Sequence, residues 1–397
     1  MKHKRLIILC SILVLLIVFK FLYPFNFLKD VGYIASDTHT KNIEQLDSVN
    51  TTPVIVTGSN APISHLPTPT NVKAVYISSW VAGSPKLRDR LITMIDETEL
   101  NTIVIDVKDS TGRIGFSVND PELAKMKTVE TRIKDIRALT NLLHSKNIYI
   151  IGRVAVFQDP YLTKLKPEWA ITRKSDGAVW KDRKGLSFLD PTKKEVWEYT
   201  VAIAKEAYAN GFDEINFDYI RYPSDGNMKD LNYHLKEGAT RSDNLEAFFT
   251  YLHGEVKKEN NIPMSADIFG LTTEVNDDMG IGQVWEKVIP YFDFVAPMVY
   301  PSHYPNGQYG FKNPAEHPYE VITHSMKGAI LKTNKMQGQD IHKIRPWLQD
   351  FNLGAKYTKE MVRAQIKALN DQGLESWMLW DPRNVYTKDA LELEPKL

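Results

Sequence analysis

Two aspartates near the middle of the chain stand where neither packing nor solubility asks for them. Asp218 lies in INFDYIRYP (215–223) and Asp267 in PMSADIFG (263–270), both otherwise apolar runs. A lone buried charge is costly, so each carboxylate needs a partner or a task. Two carboxylates can share the work of breaking a glycosidic bond. One attacks or activates water, and the other protonates the leaving oxygen. In an extended chain successive side chains alternate between faces. Asn216 therefore shares a face with Asp218, and Ser265 shares one with Asp267. Neighbouring parallel strands lie about 4.8 Å apart, so carboxylates on adjacent strands can reach one scissile bond. Asp218 suits the nucleophile or general base, with Arg221 beside it to keep it charged, and Asp267 suits the general acid. The structural alternative makes Asp218 the partner of Arg221 or Arg153, holding a rim together, and Asp267 a hydrogen-bond acceptor.

Other runs end in polar groups too. NTIVIDVKD delivers Asp106 and Lys108, which either orient a substrate or form a structural ion pair, and IYIIGRVAVF delivers Arg153. FDFVAPMVY opens into Tyr300 and His303, IRPWLQDF ends in Gln349 and Asp350, and ESWMLWD ends in Trp380 and Asp381. Asp350 and Asp381 can also serve as caps of the turns that follow. Trp80, Tyr300, Tyr304, Trp347 and Trp380 are aromatic groups that can stack on sugar faces or complete the top of a core.

The elements that must carry these residues alternate from residue 72 onward. Eight short, nearly continuous apolar runs are separated by amphipathic stretches such as KLRDRLITMIDET, KKEVWEYTVAIAKEAYANG and KEMVRAQIKALNDQG. Strands buried on both faces and alternating with helices predict a parallel sheet. Eight such units predict a closed (β/α)8 TIM barrel, whose chemistry sits at the C-terminal ends of its strands. An open doubly wound sheet is less consistent, because no strand leads into a glycine-rich phosphate turn.

The motifs GFDEINFDYIRYPSDG, SADIFG, APMVYPSHY, RPWLQDF and WMLWDP together resemble a family of bacterial TIM-barrel domains classed as glycoside hydrolases, found on anchored or secreted proteins. The resemblance runs from about residue 72 to the C-terminus. It implies the barrel and a carbohydrate substrate, with a more distant likeness to the α-amylase type. By that likeness Asp218 matches the nucleophile or base position and Asp267 the acid. The amylase pattern has Glu at the latter place, and Gln349-Asp350 stands in the region of its strand-seven His-Asp.

The N-terminus reads differently. MKHKR precedes an apolar stretch from Leu6 to Tyr23 broken only by Lys20. About 20 apolar residues span a bilayer as a helix. Residues 1–30 are thus expected to form a basic cytoplasmic tip and an uncleaved transmembrane signal-anchor, with a signal peptide cut further downstream as the alternative. Residues 31–71, rich in Thr, Pro, Ser and Asn towards their end, are expected to form a flexible linker, and residues 72–397 the barrel. The barrel would then work outside the cytoplasm, as a cell-membrane protein or a secreted one.

Composition narrows the classes. Lys+Arg and Asp+Glu both number 49, and this balance argues against a nucleic-acid partner, which needs surplus positive charge. The single cysteine, Cys10, lies in the apolar N-terminal stretch, so no disulfide or thiolate chemistry is expected in the barrel. The ten histidines are scattered without His-x-His or His-x-x-x-His spacing. The acidic loop TTEVNDDMG lacks EF-hand spacing. No metal and no cofactor are expected, and oligomeric state is open. Two functions remain: a glycosidase cleaving a cell-surface or environmental polysaccharide, and a barrel that binds glycan without cutting it.

Overall fold

The computed structural model describes residues 63–393. Eight parallel strands close on themselves: β1 Lys73–Ile77, β2 Thr102–Lys108, β3 Tyr149–Ala155, β4 Glu214–Asp218, β5 Met264–Phe269, β6 Phe294–Met298, β7 Trp347–Gln349 and β8 Trp377–Trp380. Each pairs with its sequence neighbours, and β1 closes the ring on β8 through Ala74↔Met378. The expected (β/α)8 barrel is therefore present.

Period-two alternation divides the strands into two faces. Outward residues such as Val75, Ile105, Ile150, Val154, Ile215 and Phe217 join one buried apolar cluster with helix residues including Ile95, Leu143, Val196 and Ile203. The helices concerned are α1 Pro85–Glu97, α2 Ile136–Ser145 and α3 Lys194–Ala209, followed by α4 Arg241–Leu252, α5 Pro318–Asn334 and α6 Lys359–Asn370. Inward positions are unusually polar. Asp106, Arg153, Glu214, Asn216, Ser265, Asp267, Arg345 and Gln349 are all buried. Such groups persist inside a fold only when hydrogen-bonded, and here they bond chiefly to one another.

Three local features depart from the simplest reading of the sequence. GQVWEKVIPYF reads as a full helix but forms only the four-residue helix Trp285–Val288 and a 3₁₀ turn containing Pro290. Proline in a helix interior removes a donor and clashes with the preceding turn. The fourth strand, expected to run on towards Tyr222, ends at Asp218 because Tyr219 adopts a left-handed backbone (φ 53°). Between β2 and β3 the register slips at Asp106/Lys108, so the simple alternation that groups those two residues does not describe their contacts.

The floor of the barrel is the N-terminal end of its strands. Asp213 there accepts from the backbone N–H of Ile150 at 2.8 Å and of Leu66 at 2.9 Å, and pairs with His144 at 3.0 Å. His65 stacks on Tyr208 with 3.7 Å between centroids, and Thr68 meets the Tyr149 hydroxyl at 2.9 Å. Residues 63–71, read from the sequence as linker, thus rest against the floor.

Among the described residues no helix is long and apolar enough to cross a membrane. The apolar stretch 6–23 and most of the expected linker lie outside the described residues.

Candidate active site

Arg153 organises the rim. It stands in register with Asp106 on one side and Asn216 on the other, one layer below Asp218. Its Nη1 donates to Asp106 Oδ1 at 2.6 Å, while Nε and Nη2 both donate to Asp218 Oδ2, at 3.0 and 2.5 Å. The other oxygen of each carboxylate is also held. Tyr76 donates its hydroxyl to Asp106 Oδ2 at 2.6 Å, and the Tyr219 backbone N–H donates to Asp218 Oδ1 at 2.6 Å. That last bond depends on the left-handed turn at Tyr219. Burial raises the Asp106 carboxyl above its ordinary range and nearby Asp109 adds to the effect, while Arg153 and the Tyr76 hydrogen bond oppose it. Trp380 stacks on Tyr76 at 4.0 Å, and the guanidinium lies 5.1 Å from the Trp380 ring, within cation–π range.

Asp267 has a different environment. The β4–β5 register pairs Asn216 with Ser265 and Phe217 with Ala266, so Asp218 and Asp267 stand side by side one residue further on. Asn216 Nδ2 donates to Asp267 Oδ1 at 2.8 Å, and Trp347 Nε1 donates to the same oxygen at 2.7 Å. Burial is the largest influence on this carboxyl and pushes its pKa well above the usual carboxylate range. The nearby negative charge of Asp218 pushes the same way, and the hydrogen bonds from Asn216 and Trp347 and the charge of Arg153 oppose it. Two adjacent carboxylates thus differ sharply, one clamped by a cation and the other biased towards its protonated form.

The remaining candidates fall into several groups. Lys108 does not pair with Asp106. Its ammonium contacts Asp159 at 2.8 Å and donates to the Ala155 carbonyl at 2.6 Å, in a buried pocket at the register slip. Arg221 donates to the Tyr222 carbonyl at 3.0 Å, and its guanidinium lies 5.0 Å from the Phe269 ring. The fork on Asp218 comes from Arg153. Tyr300, His303 and Phe351 form an aromatic cluster, with Tyr300 and His303 at 5.2 Å. Burial pushes the His303 imidazole down to about 4, which makes it a neutral ring at neutral pH. Gln349 accepts from the Ser302 N–H at 3.1 Å and donates to the Phe351 carbonyl at 2.9 Å, joining two rim loops. Asp350 binds the N–H and hydroxyl of Thr387, both at 2.7 Å, and burial raises its carboxyl to about 6. Asp381 caps its own turn through the Arg383 N–H at 2.5 Å. Of the five aromatic candidates for sugar stacking, Trp80 is the exposed one, at 54%, with Arg132 4.8 Å from its ring. Trp347 is buried, with its indole N–H directed at Asp267, and Tyr304 is buried with its hydroxyl 2.6 Å from Ser325. Among the described residues no group of three His, Cys, Asp or Glu side chains is placed to hold a metal ion.

A family model described as "Putative glycosyl hydrolase domain" (DUF4015) matches residues 74–386, the whole barrel. The chain belongs to this family. No curated protein matches it. Among solved structures, a hypothetical protein from Ruminiclostridium thermocellum ATCC 27405 is 32% identical over 49% of this chain and 96% of its own, with a TM-score of 0.45. The PgaB (BpsB) glycoside hydrolase domain from Bordetella bronchiseptica is 12% identical over 82% of this chain and 99% of its own, with a TM-score of 0.58. Alpha-L-fucosidase isoenzyme 2 from Paenibacillus thiaminolyticus is 11% identical over 81% of this chain and 47% of its own, with a TM-score of 0.52. At these identities the last two likenesses establish the barrel fold, which the glycosyl hydrolase domain shares with them.

Sequence reasoning on this glycosyl hydrolase domain missed Tyr76 and the donor roles of Asn216 and Trp347. Asn216 had a signal, since it shares a face with Asp218. Tyr76 had little, because a tyrosine inside VKAVYIS looks like wall. Glu214 and Arg345, paired inside the barrel and both fully buried, were missed because Glu214 opens its strand and Arg345 lies two residues before β7, outside the apolar runs.

Proposed function

We propose that the chain hydrolyses glycosidic bonds in a polysaccharide or oligosaccharide, with Asp218 as nucleophile or general base and Asp267 as general acid. The observation that carries this reading is the contrast between the two neighbouring carboxyls, one bound by Arg153 and the other raised in pKa. A carboxylate offers about four acceptor directions. Arg153 takes two on Asp218 Oδ2 and Tyr219 takes one on Oδ1, so the fourth, on Oδ1, serves for attack or for taking a proton from water. Asp267 gives its proton to the glycosidic oxygen as the bond to the anomeric carbon breaks, and the departing sugar leaves as an alcohol. The membership of a glycosyl hydrolase family supports a carbohydrate substrate.

The test is a glycan-panel assay of the full chain, reading new reducing ends, alongside Asp218→Asn and Asp267→Asn. General acid–base groups contribute about 10²–10⁴-fold, and losses of that size are expected in both variants. Asp267→Asn should recover on aryl glycosides whose leaving group needs no proton, and Asp218→Asn should not. Undiminished hydrolysis by Asp218→Asn removes that residue from the mechanism.

One observation favours the second reading, a barrel that binds glycan without cutting it. Asp218 is only 3% exposed and already holds three donors. Wild-type chain that binds oligosaccharides from the panel and releases no reducing ends would establish that reading.

We further propose that the barrel works outside the cytoplasm, held at the membrane by residues 1–30. This rests on the basic tip and apolar stretch of the sequence alone. Mass spectrometry of the mature protein tests it, since an N-terminus near residue 30 would mean a cleaved signal.

A further inference from the structure

A column of hydrogen bonds runs from the middle of the barrel up to Asp267. At its base Arg345 grips Glu214 with two guanidinium nitrogens, one at 3.2 Å, and both side chains are fully buried. A carboxylate facing a guanidinium can only accept. Ser265, whose Oγ lies 2.6 Å from Glu214 Oε1, must therefore spend its one hydroxyl proton on Glu214. Its lone pairs then face Asn216, and they require the amide nitrogen there. Asn216 Nδ2 lies 3.1 Å from Ser265 Oγ and 2.8 Å from Asp267 Oδ1. The two ends of an amide are told apart by their network, and this network admits one orientation. Turned over, the amide oxygen would confront the lone pairs of Ser265, whose proton is already spent on Glu214.

The arrangement has a cost. Asn216 Oδ1 is buried without a hydrogen-bond partner, and such an atom in a native interior calls for an explanation. The explanation lies at the upper end of the column. Trp347 Nε1, which can only donate, reaches the same Asp267 oxygen from β7 at 2.7 Å. With two donors on Oδ1, that oxygen is the carbonyl end of the protonated group, and the proton belongs on Oδ2.

We propose that Asn216 and Trp347 are positioning residues that fix the proton of Asp267 on Oδ2, and that Ser265, oriented by the Glu214–Arg345 pair, locks Asn216 in the required sense. The proposal deepens the reading of Asp267 as general acid and rests on it. An acid whose proton can sit on either oxygen presents it to the leaving group part of the time, whereas a fixed one is ready in every encounter. The charges acting on Asp267 are Asp218 from β4, which favours the protonated form, and Arg153 from β3, which opposes it. The Glu214–Arg345 pair lies below.

The experiment is an infrared difference titration of the full chain. The carbonyl stretch of protonated Asp267 is assigned by its disappearance in Asp267→Asn. Trp347→Phe removes one donor, and Ser265→Ala frees the Asn216 amide to turn its oxygen towards the carboxyl proton. Both changes favour the protonated form. In each the band should shift, and Asp267 should titrate about one pH unit higher, about a tenfold change in proton affinity. The alkaline limb of kcat should move with it. Ser265→Thr, which restores the hydroxyl, should return band and limb towards the wild-type positions. A purely structural role would lower the melting temperature and leave the band and the titration where they were. That result, in variants whose circular dichroism shows them folded, overturns the proposal. A wild-type chain inactive on every glycan would retire the hydrolase reading instead, while the infrared comparison still decides where the proton sits.

Discussion

Arg153 shows how much one side chain can determine. It is buried, and it joins Asp106 from β2 to Asp218 from β4 through its own position on β3. Replacing it by methionine would keep the bulk and strand two buried carboxylates without their cation. Removing one partner of a buried ion pair costs about 3–5 kcal/mol. Arg153→Met should therefore lose roughly that much stability in urea denaturation, with loss of hydrolysis. Arg153→Lys keeps the charge but not the fork, and should recover stability better than activity. At this scale the sequence was partly legible. Asp218, Asp267 and Arg153 announced themselves as charges within apolar runs. Lys108 announced itself in the same way, yet it serves Asp159 within the wall, because a register slip between two strands leaves no trace in either strand's own residues. Arg221 looked like the partner of Asp218 because it is three residues away. The fork instead comes from Arg153 on the neighbouring strand.

The strands were legible because each is a short apolar run with turn residues around it. Their ends were not, because a strand ends where a single residue changes backbone region. At β4 that residue is Tyr219, a bulky side chain in a left-handed conformation, which no propensity would suggest. Such strain persists when the surroundings over-determine it, and here the Tyr219 N–H on Asp218 is among the constraints. Gly152 is a second case. A Cβ on this glycine within IYIIGRV would lie 2.8 Å from both the Phe212 ring and Val107 Cγ2. The missing side chain is what lets β3 seat against Phe212. Overpacking a well-filled core costs about 1–3 kcal/mol, so Gly152→Ala should lower stability by that amount in urea denaturation. The site chemistry should survive, since Gly152 faces away from Arg153.

At the scale of the whole molecule the barrel was the most legible feature, since eight apolar runs alternating with amphipathic ones allow few other closures. The boundary of its supporting chain was less so. Residues 63–71 carry no strong periodicity, yet Leu66 and Thr68 bond to groups at the floor. A hydrogen bond to a charged group such as Asp213 contributes about 1.5–3 kcal/mol. A chain beginning at residue 72 should be less stable by about that amount than one beginning at 63, measured by thermal melts of the two. Asp213→Asn should narrow the gap between them.

The polar column inside the barrel also bears on how such a protein can change by descent. Glu214 and Arg345 are separated by 131 positions in the chain, yet neither can be replaced alone without leaving a charge sealed in the interior. Ser265 and Asn216 are bound to the same pair by the direction of their protons. A lineage that altered one of these four would need a compensating change in another strand before the first could persist. The interior should therefore drift in concert or not at all, while the outward-facing apolar residues of the same strands remain free to exchange one at a time.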